Sequence, residues 1–431
     1  MNLTHRSPLA ETAISLSSAR LDFKEHITQV CNRIDEIEPL VHALLPEPDR
    51  RERLLREARE LLARFPVPQK RPPLFGILVG VKDIFRVDGF ETRCGSKLPS
   101  ELFAGPEAAC VTALREAGAL ILGKTVTTEF AYMEPGPTRN PHNLAHTPGG
   151  SSSGSAAAVA AGFCELAMGS QTGGSVTRPA AFCGIVGFKP SLGRIPTDGV
   201  IPFSTTADHV GLFTQDVAGL ELAACIVCRE WKTVTPKAKP VLGIPDGAYL
   251  AQTSPEGLTA FESQCRRLQH AGYVVRRIPT LANIEAIIQR HTWMISYEMA
   301  QVHKEWFPKH ESLYRPHTAR IFRDGKKVTS QQLNAGRNGI LQLRDEMETL
   351  MKKEGIDLWI CPSALGPAPE GIGSTGNAAM SWPWTHSGIP SLSLPAGSFA
   401  NGLPSGIQFV AGFMDDERLL AWARDLEKVF G

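Results

Sequence analysis

The sequence lacks any apolar run long enough to cross a bilayer: no stretch approaches about eighteen uninterrupted apolar residues. It also lacks charge of one sign, with 45 Lys+Arg against 44 Asp+Glu and a formal net charge of +1. That balance gives no electrostatic footprint for nucleic acid or an anionic membrane. The start, Met1-Asn2-Leu3-Thr4-His5-Arg6, has no basic stretch followed by an apolar one, so no signal peptide is expected. No internal repeat is visible, which excludes solenoids, collagen and coiled coils. Hydrophobic residues at 42% and charged residues at 21% are an ordinary globular balance rather than a disordered or fibrous one.

Nine cysteines, an odd number, lie mostly inside apolar segments. They read as reduced, buried thiols of a cytoplasmic protein. Cys225 and Cys228 form a CxxC late in the helical pattern Asp216–Glu230, with no second pair at zinc spacing; core packing is the expectation there. Glycine (39) and proline (32) together exceed the usual share of roughly 12% and are spread along the chain, as shaped turns around a folded core would require.

Residues 1–66 read as an N-terminal helical segment packed on the main domain. Its amphipathic runs are Asp22–Ile37 and Arg50–Phe65, closed by the proline-rich break from Pro66 to Pro73. From residue 67 to 431 short apolar runs alternate with helical ones, the pattern of an α/β domain. Strands are expected at Ile77–Val81, Ala119–Leu122, Pro240–Ile244, Tyr273–Ile278 and Leu358–Cys361. Helices are expected at Ala108–Ala117, Ser155–Gly162, Leu258–Ala271 and Arg337–Glu354. Residues 280–335, helical and aromatic-rich, read as a helical cap within that domain.

Three short patterns imitate well-known motifs. Gly118–Thr125 fits GxxxxGK[ST], but a helix precedes it and its interior is the strand itself, so no phosphate loop forms. Gly150-Ser151-Ser152-Ser153-Gly154 fits GxSxG, but a proline-bracketed loop rather than a strand leads into it. His142 and His146 have i,i+4 spacing between Pro141 and Pro148, without a helix to place them on one metal. No metal ligand set is expected.

The informative stretch runs from Pro148 to Ser191. Gly/Ser-rich segments there lead into Ala156–Ala161 and into Phe182–Phe188, so they alternate with core rather than link domains. Two glycine-flanked serines with exposed backbone N–H groups, set in a buried frame, suit a nucleophile with an oxyanion site.

At these residues the chain resembles the amidase signature family. The resemblance rests on Gly149-Gly150-Ser151-Ser152, on Gly173-Gly174-Ser175 and on Pro179-Ala180-Ala181-Phe182-Cys183-Gly184 running to Lys189-Pro190. It extends to Gly76–Asp83, Gly118–Thr125, Gly388–Gly397 and Gly402–Gln408, nearly the whole chain from about residue 70.

The resemblance implies a large mixed central β-sheet covered by helices on both faces, and hydrolysis of a C–N amide bond without metal or organic cofactor. It implies a triad of Lys82, Ser151 and Ser175. Lys82, at the end of an apolar strand, would be a desolvated general base. Ser151, after a cis peptide bond, would relay the proton, and Ser175 would be the acylated nucleophile. The oxyanion hole would be the backbone N–H groups of Thr172, Gly173, Gly174 and Ser175, with Ser152 in support.

The chain departs from the family pattern at Ser153, where glycine is usual, at Gln171, where aspartate is usual, and at Arg178, displaced by one position. Tyr132, Met133, Gln171, Met380, Trp382 and Trp384 are the candidate substrate-binding residues, an apolar and aromatic wall suited to aryl amides, anilides or carbamates. His209 and His386 are polar pocket residues or satisfied structural histidines. The expected partner is a small-molecule amide or carbamate, with no nucleic acid or membrane, and the chain acts as a monomer or homodimer. The alternative is the amidase component of a glutamine-dependent transamidation complex, supplying ammonia to a partner.

Overall fold

Between Leu78 and Val410, ten short runs become the strands of one mixed sheet. The computed structural model describes residues 2–431. The strands are β1 (Leu78–Lys82), β2 (Leu120–Thr125), β3 (Leu166–Gln171), β4 (Val186–Lys189) and β5 (His209–Thr214). They continue with β6 (Leu242–Asp246), β7 (Val275–Pro279), β8 (Leu358–Pro362), β9 (Ser391–Ser398) and β10 (Pro404–Val410). Their spatial order is β2-β1-β3-β5-β4-β9-β10-β8-β6-β7. Pairing is parallel at both ends, β2/β1/β3 and β8/β6/β7, and antiparallel through the middle. Strands β1 to β5 are buried along their whole length, which requires cover on both faces.

The helices supply that cover: α1 (Leu9–Ser17), α2 (Phe23–Val41), α3 (Arg50–Arg64), α4 (Ala109–Glu116), α5 (Ser153–Ala160), α6 (Thr177–Phe182) and α7 (Val217–Val227). After them come α8 (Pro255–His270), α9 (Ile284–Val302), α10 (Phe307–His310), α11 (Pro316–Gly325), α12 (Ser330–Glu354), α13 (Trp382–His386) and α14 (Asp416–Phe430). No helix is long and apolar enough to cross a membrane among the described residues.

All five expected strands form within a few residues of their expected bounds. The other five, β3, β4, β5, β9 and β10, come from segments whose glycine, serine or proline interrupts the alternation. Helix α12 begins seven residues before the expected Arg337, because Thr329 and Gln332 close a reciprocal capping box. The imitating motifs resolve as expected. Gly118 has φ +94° just after α4 and ahead of β2, and Ser153 opens α5 after a loop. His142 and His146 each meet a backbone carbonyl, of Cys183 and Ala368.

The sheet's two edges are treated differently. β7 exposes Arg276 and Arg277, charges that discourage further strand pairing. β2 is instead covered by the N-terminal segment: Arg53 on α3 donates to the carbonyls of Ile121 and Leu122 at 3.0 and 3.1 Å. Leu45 N–H donates to Lys124 O, and Val126 N–H to Ala43 O.

Candidate active site

The parallel pairing of β1 with β3 brings the end of β1 beside the middle of β3, Val81 opposite Met168. Lys82 closes β1 and is wholly buried. Its ammonium nitrogen reaches three hydroxyls: Ser151 Oγ at 2.7 Å, Ser152 Oγ at 3.0 Å and Ser170 Oγ at 2.8 Å. Burial lowers its pKa to about 7, opposed by the charge of Asp208. Asp208 accepts from the amides of Phe203 and Ser204 and from the Thr172 hydroxyl, yet its own burial raises its pKa to about 6.

Ser151 follows a cis Gly150–Ser151 peptide bond in the turn before α5. Ser152 Oγ also accepts from Ser170 N–H at 3.2 Å, which links that turn to β3.

Ser175 lies on the loop between β3 and α6, and lines a cavity of about 600 Å³ together with Thr172, Gly173 and Gly174. A side chain at Gly173 would press on the Trp382 ring at 3.1 Å, and one at Gly174 on Ser381 Oγ at 2.9 Å, so this close packing needs glycine. Arg178, three residues after Ser175, donates to Gly150 O at 2.6 Å and to Thr375 Oγ1 at 3.3 Å. The displaced arginine thus ties the Ser175 loop to the Ser151 turn; burial lowers its pKa to about 10.

Of the expected wall, Tyr132, Met133 and Trp382 line the cavity, joined by Phe203, Ile295 and Ile321. The remaining three expected wall residues do not. Trp384 is buried with its indole N–H on Tyr249 Oη at 2.9 Å, and Met380 packs in a core cluster where its sulfur accepts from Thr253. Gln171 is buried, and its carboxamide is spent on the loop. Its oxygen accepts from Val176 and Thr177 N–H at 2.8 and 3.0 Å, and its nitrogen donates to Thr385 Oγ1 at 3.0 Å. It thus organises the Ser175 loop rather than facing a substrate. His209 and His386 are buried structural histidines, and no cluster of potential metal ligands occurs among the described residues.

Sequence reasoning missed Ser170 and Asp208. Ser170 is visible in the sequence only as part of the altered Gly169-Ser170-Gln171 triplet; its approach to Lys82 depends on strand register. Asp208 lies between strands with no motif around it.

The sequence matches the family described as Amidase over residues 25–420. It is 30% identical to a Glutamyl-tRNA(Gln) amidotransferase subunit of Oleidesulfovibrio alaskensis, covering 98% of this chain and 97% of that protein. It is 28% identical to the corresponding protein of Prochlorococcus marinus, covering 97% and 96%. Among solved structures, the crystal structure of an amidase superposes with a TM-score of 0.87 at 29% identity, over 99% of this chain and 100% of that one. Peptide amidase of Stenotrophomonas maltophilia shares the fold, with a TM-score of 0.81 at 24% identity over 99% and 97%. A buried lysine among serine hydroxyls, a glycine-lined serine facing a cavity and these likenesses agree: the chain belongs to the amidase signature family, enzymes that act on C–N bonds.

Proposed function

We propose that this enzyme cleaves an amide C–N bond through an acyl-enzyme on Ser175. The observation that carries this reading is the wholly buried Lys82 amine, with a pKa near neutrality, held on the hydroxyls of Ser151, Ser152 and Ser170. Neutral Lys82 takes the proton of Ser151, which takes that of Ser175 as its oxygen attacks the carbonyl carbon. The amides of Gly173, Gly174 and Ser175 find no backbone acceptor among the described residues, which supports their role, with that of Thr172, toward the oxyanion. The proton returns through Ser151 to the leaving nitrogen as the C–N bond breaks, and water then releases the acid. Ser175→Ala should abolish turnover with the fold intact, and a fluorophosphonate should label Ser175; label on Ser152 would instead restore the GxSxG reading.

Two settings use this chemistry. In the first the chain acts alone on a small uncharged amide, anilide or carbamate. The cavity lining supports this in part: Tyr132, Phe203, Trp382, Ile295 and Ile321 are apolar or aromatic, Arg178 and His317 are its ionisable members, and among the described residues no carboxylate lines it to meet the ammonium of an amino acid. In the second it is the amidase component of a transamidation complex, freeing ammonia from glutamine for a partner. The curated relatives, named as amidotransferase subunits, support this second setting more directly than the first. The nine free cysteines, all but Cys225 buried, support a reducing, cytoplasmic compartment for either. The purified chain tested on a 4-nitroanilide and on glutamine separates the two. Nitroaniline release favours the first, and ammonia release from glutamine alone favours the second.

A further inference from the structure

The loop that carries Ser175 is gripped from behind by side chains that neither setting has used. His291 on α9, wholly buried, sets its Nε2 at 2.7 Å from Thr172 O. Thr385 on α13 donates its hydroxyl to Gly173 O, with Ser381 O a longer alternative acceptor at 3.1 Å, and accepts from Gln171 Nε2 at 3.0 Å. His209 Nδ1, bonded to Ala207 O at 2.8 Å, also lies 3.3 Å from Gln171 O. Three successive carbonyls, of residues 171, 172 and 173, are therefore engaged by side chains.

In a trans peptide the C=O and the following N–H point in opposite directions. No peptide bond in this loop is cis. A carbonyl held on the far side therefore turns the next residue's amide toward the cavity.

We infer that His291 and Thr385 are positioning residues for the oxyanion hole: by holding the carbonyls of Thr172 and Gly173 they aim the amides of Gly173 and Gly174 at the reacting carbonyl. This rests on the reading of Ser175 as nucleophile.

The hydrogen positions follow from the partners. A carbonyl only accepts, so His291 Nε2 carries the hydrogen and its Nδ1 is a lone pair. His386 Nδ1, 3.1 Å from it, must then be the donor. His386 Nε2 is left a buried acceptor without a partner. Burial lowers the pKa of His291 to about 4 and of His386 to about 2, in keeping with this neutral pair. The same logic explains Gln171. A carboxylate there could accept from Val176 and Thr177 but could not donate to Thr385, whose hydroxyl hydrogen would lose its fixed aim at Gly173. The grip also joins the cap to the chemistry, since α9 supplies His291 and also the cavity-lining Thr292 and Ile295.

The test is the labelling of Ser175 by a fluorophosphonate, whose phosphoryl oxygen enters the same hole, measured as maximal rate and half-saturating concentration. His291→Phe and Thr385→Val should lower the maximal rate about tenfold to a hundredfold, the scale of a displaced catalytic group. The half-saturating concentration should stay within about threefold. His291→Gln and Thr385→Ser, which restore a donor, should recover to within about fivefold of the parent. Unchanged rates in His291→Phe and Thr385→Val, equal losses in the donor-restoring variants, or an effect confined to half-saturation would each overturn the inference. Should His291→Phe not fold, Thr385→Val, a hydroxyl-to-methyl exchange, carries the test alone. A parent enzyme that takes no label on Ser175 overturns the nucleophile reading and this inference with it. A labelled parent with unaffected variants overturns only the grip.

Discussion

Lys82 and Lys189 each end a strand, β1 and β4, each is wholly buried, and burial draws each toward a pKa of about 7. Their surroundings differ in one respect. Lys82 meets three hydroxyls, whereas Lys189 donates to the carbonyls of Ile389 and Pro190 at 2.6 and 3.1 Å. A hydroxyl accepts from an ammonium and donates to an amine, so the nitrogen keeps a partner in either protonation state. A carbonyl only accepts; it holds the hydrogens of Lys189 and offers nothing to a lone pair. Desolvation makes a base available, but the neighbouring groups decide whether its proton has somewhere to go. Of the two amines only one sits where protons can pass.

This contrast can be broken by experiment. Lys82→Ala should lower turnover about 10²- to 10⁴-fold, the range of general-base catalysis, with circular dichroism unchanged; retention of turnover would remove the distinction between the two lysines. Next in size is the pH response. Turnover should rise about tenfold per unit well below pH 7 and level off above it, as the fraction of neutral Lys82 saturates; a flat rate from pH 5 to 9 would exclude an amine as base. The same lowered pKa makes stability rise with pH from about 7 toward 10.5, because the unfolded chain binds a proton that the folded chain releases. Ser152→Ala and Ser170→Ala each leave Lys82 two of its three hydroxyls, and each should cost about three- to tenfold in kcat, visible in steady-state kinetics. Lys189→Met should leave kcat per folded molecule within about twofold but lower unfolding stability by about 1–3 kcal/mol, since two buried carbonyls lose their donor; urea titration measures this.

Strands β1, β2, β6, β7 and β8 at the parallel ends of the sheet were legible in the sequence, several of them as apolar runs such as Leu78–Val81 and Leu358–Cys361, but β3, which pairs parallel with β1, was not. The antiparallel middle was not, since Ser391–Ser398 and Pro404–Val410 become strands through mutual pairing despite serine, glycine and proline. At the site, the resemblance pointed to Lys82 and Ser151, which lie 2.7 Å apart, and to Ser175, which lines the cavity. The three-hydroxyl cage was not legible, because Ser170 approaches Lys82 only once β1 and β3 are in register. Trp384 and Met380 were misread as wall for a related reason: on the short helix α13 and the turn before it, one aromatic ring faces the cavity while its neighbours face the core.

The capping of β2 by Arg53 and the strand-like contacts at Ala43 and Leu45 bear on how the protein can be shortened. A version begun at Pro66 would present a bare row of backbone donors and acceptors along that border, and two such molecules would join edge to edge. Trimming the first 65 residues should therefore yield an enzyme that self-associates.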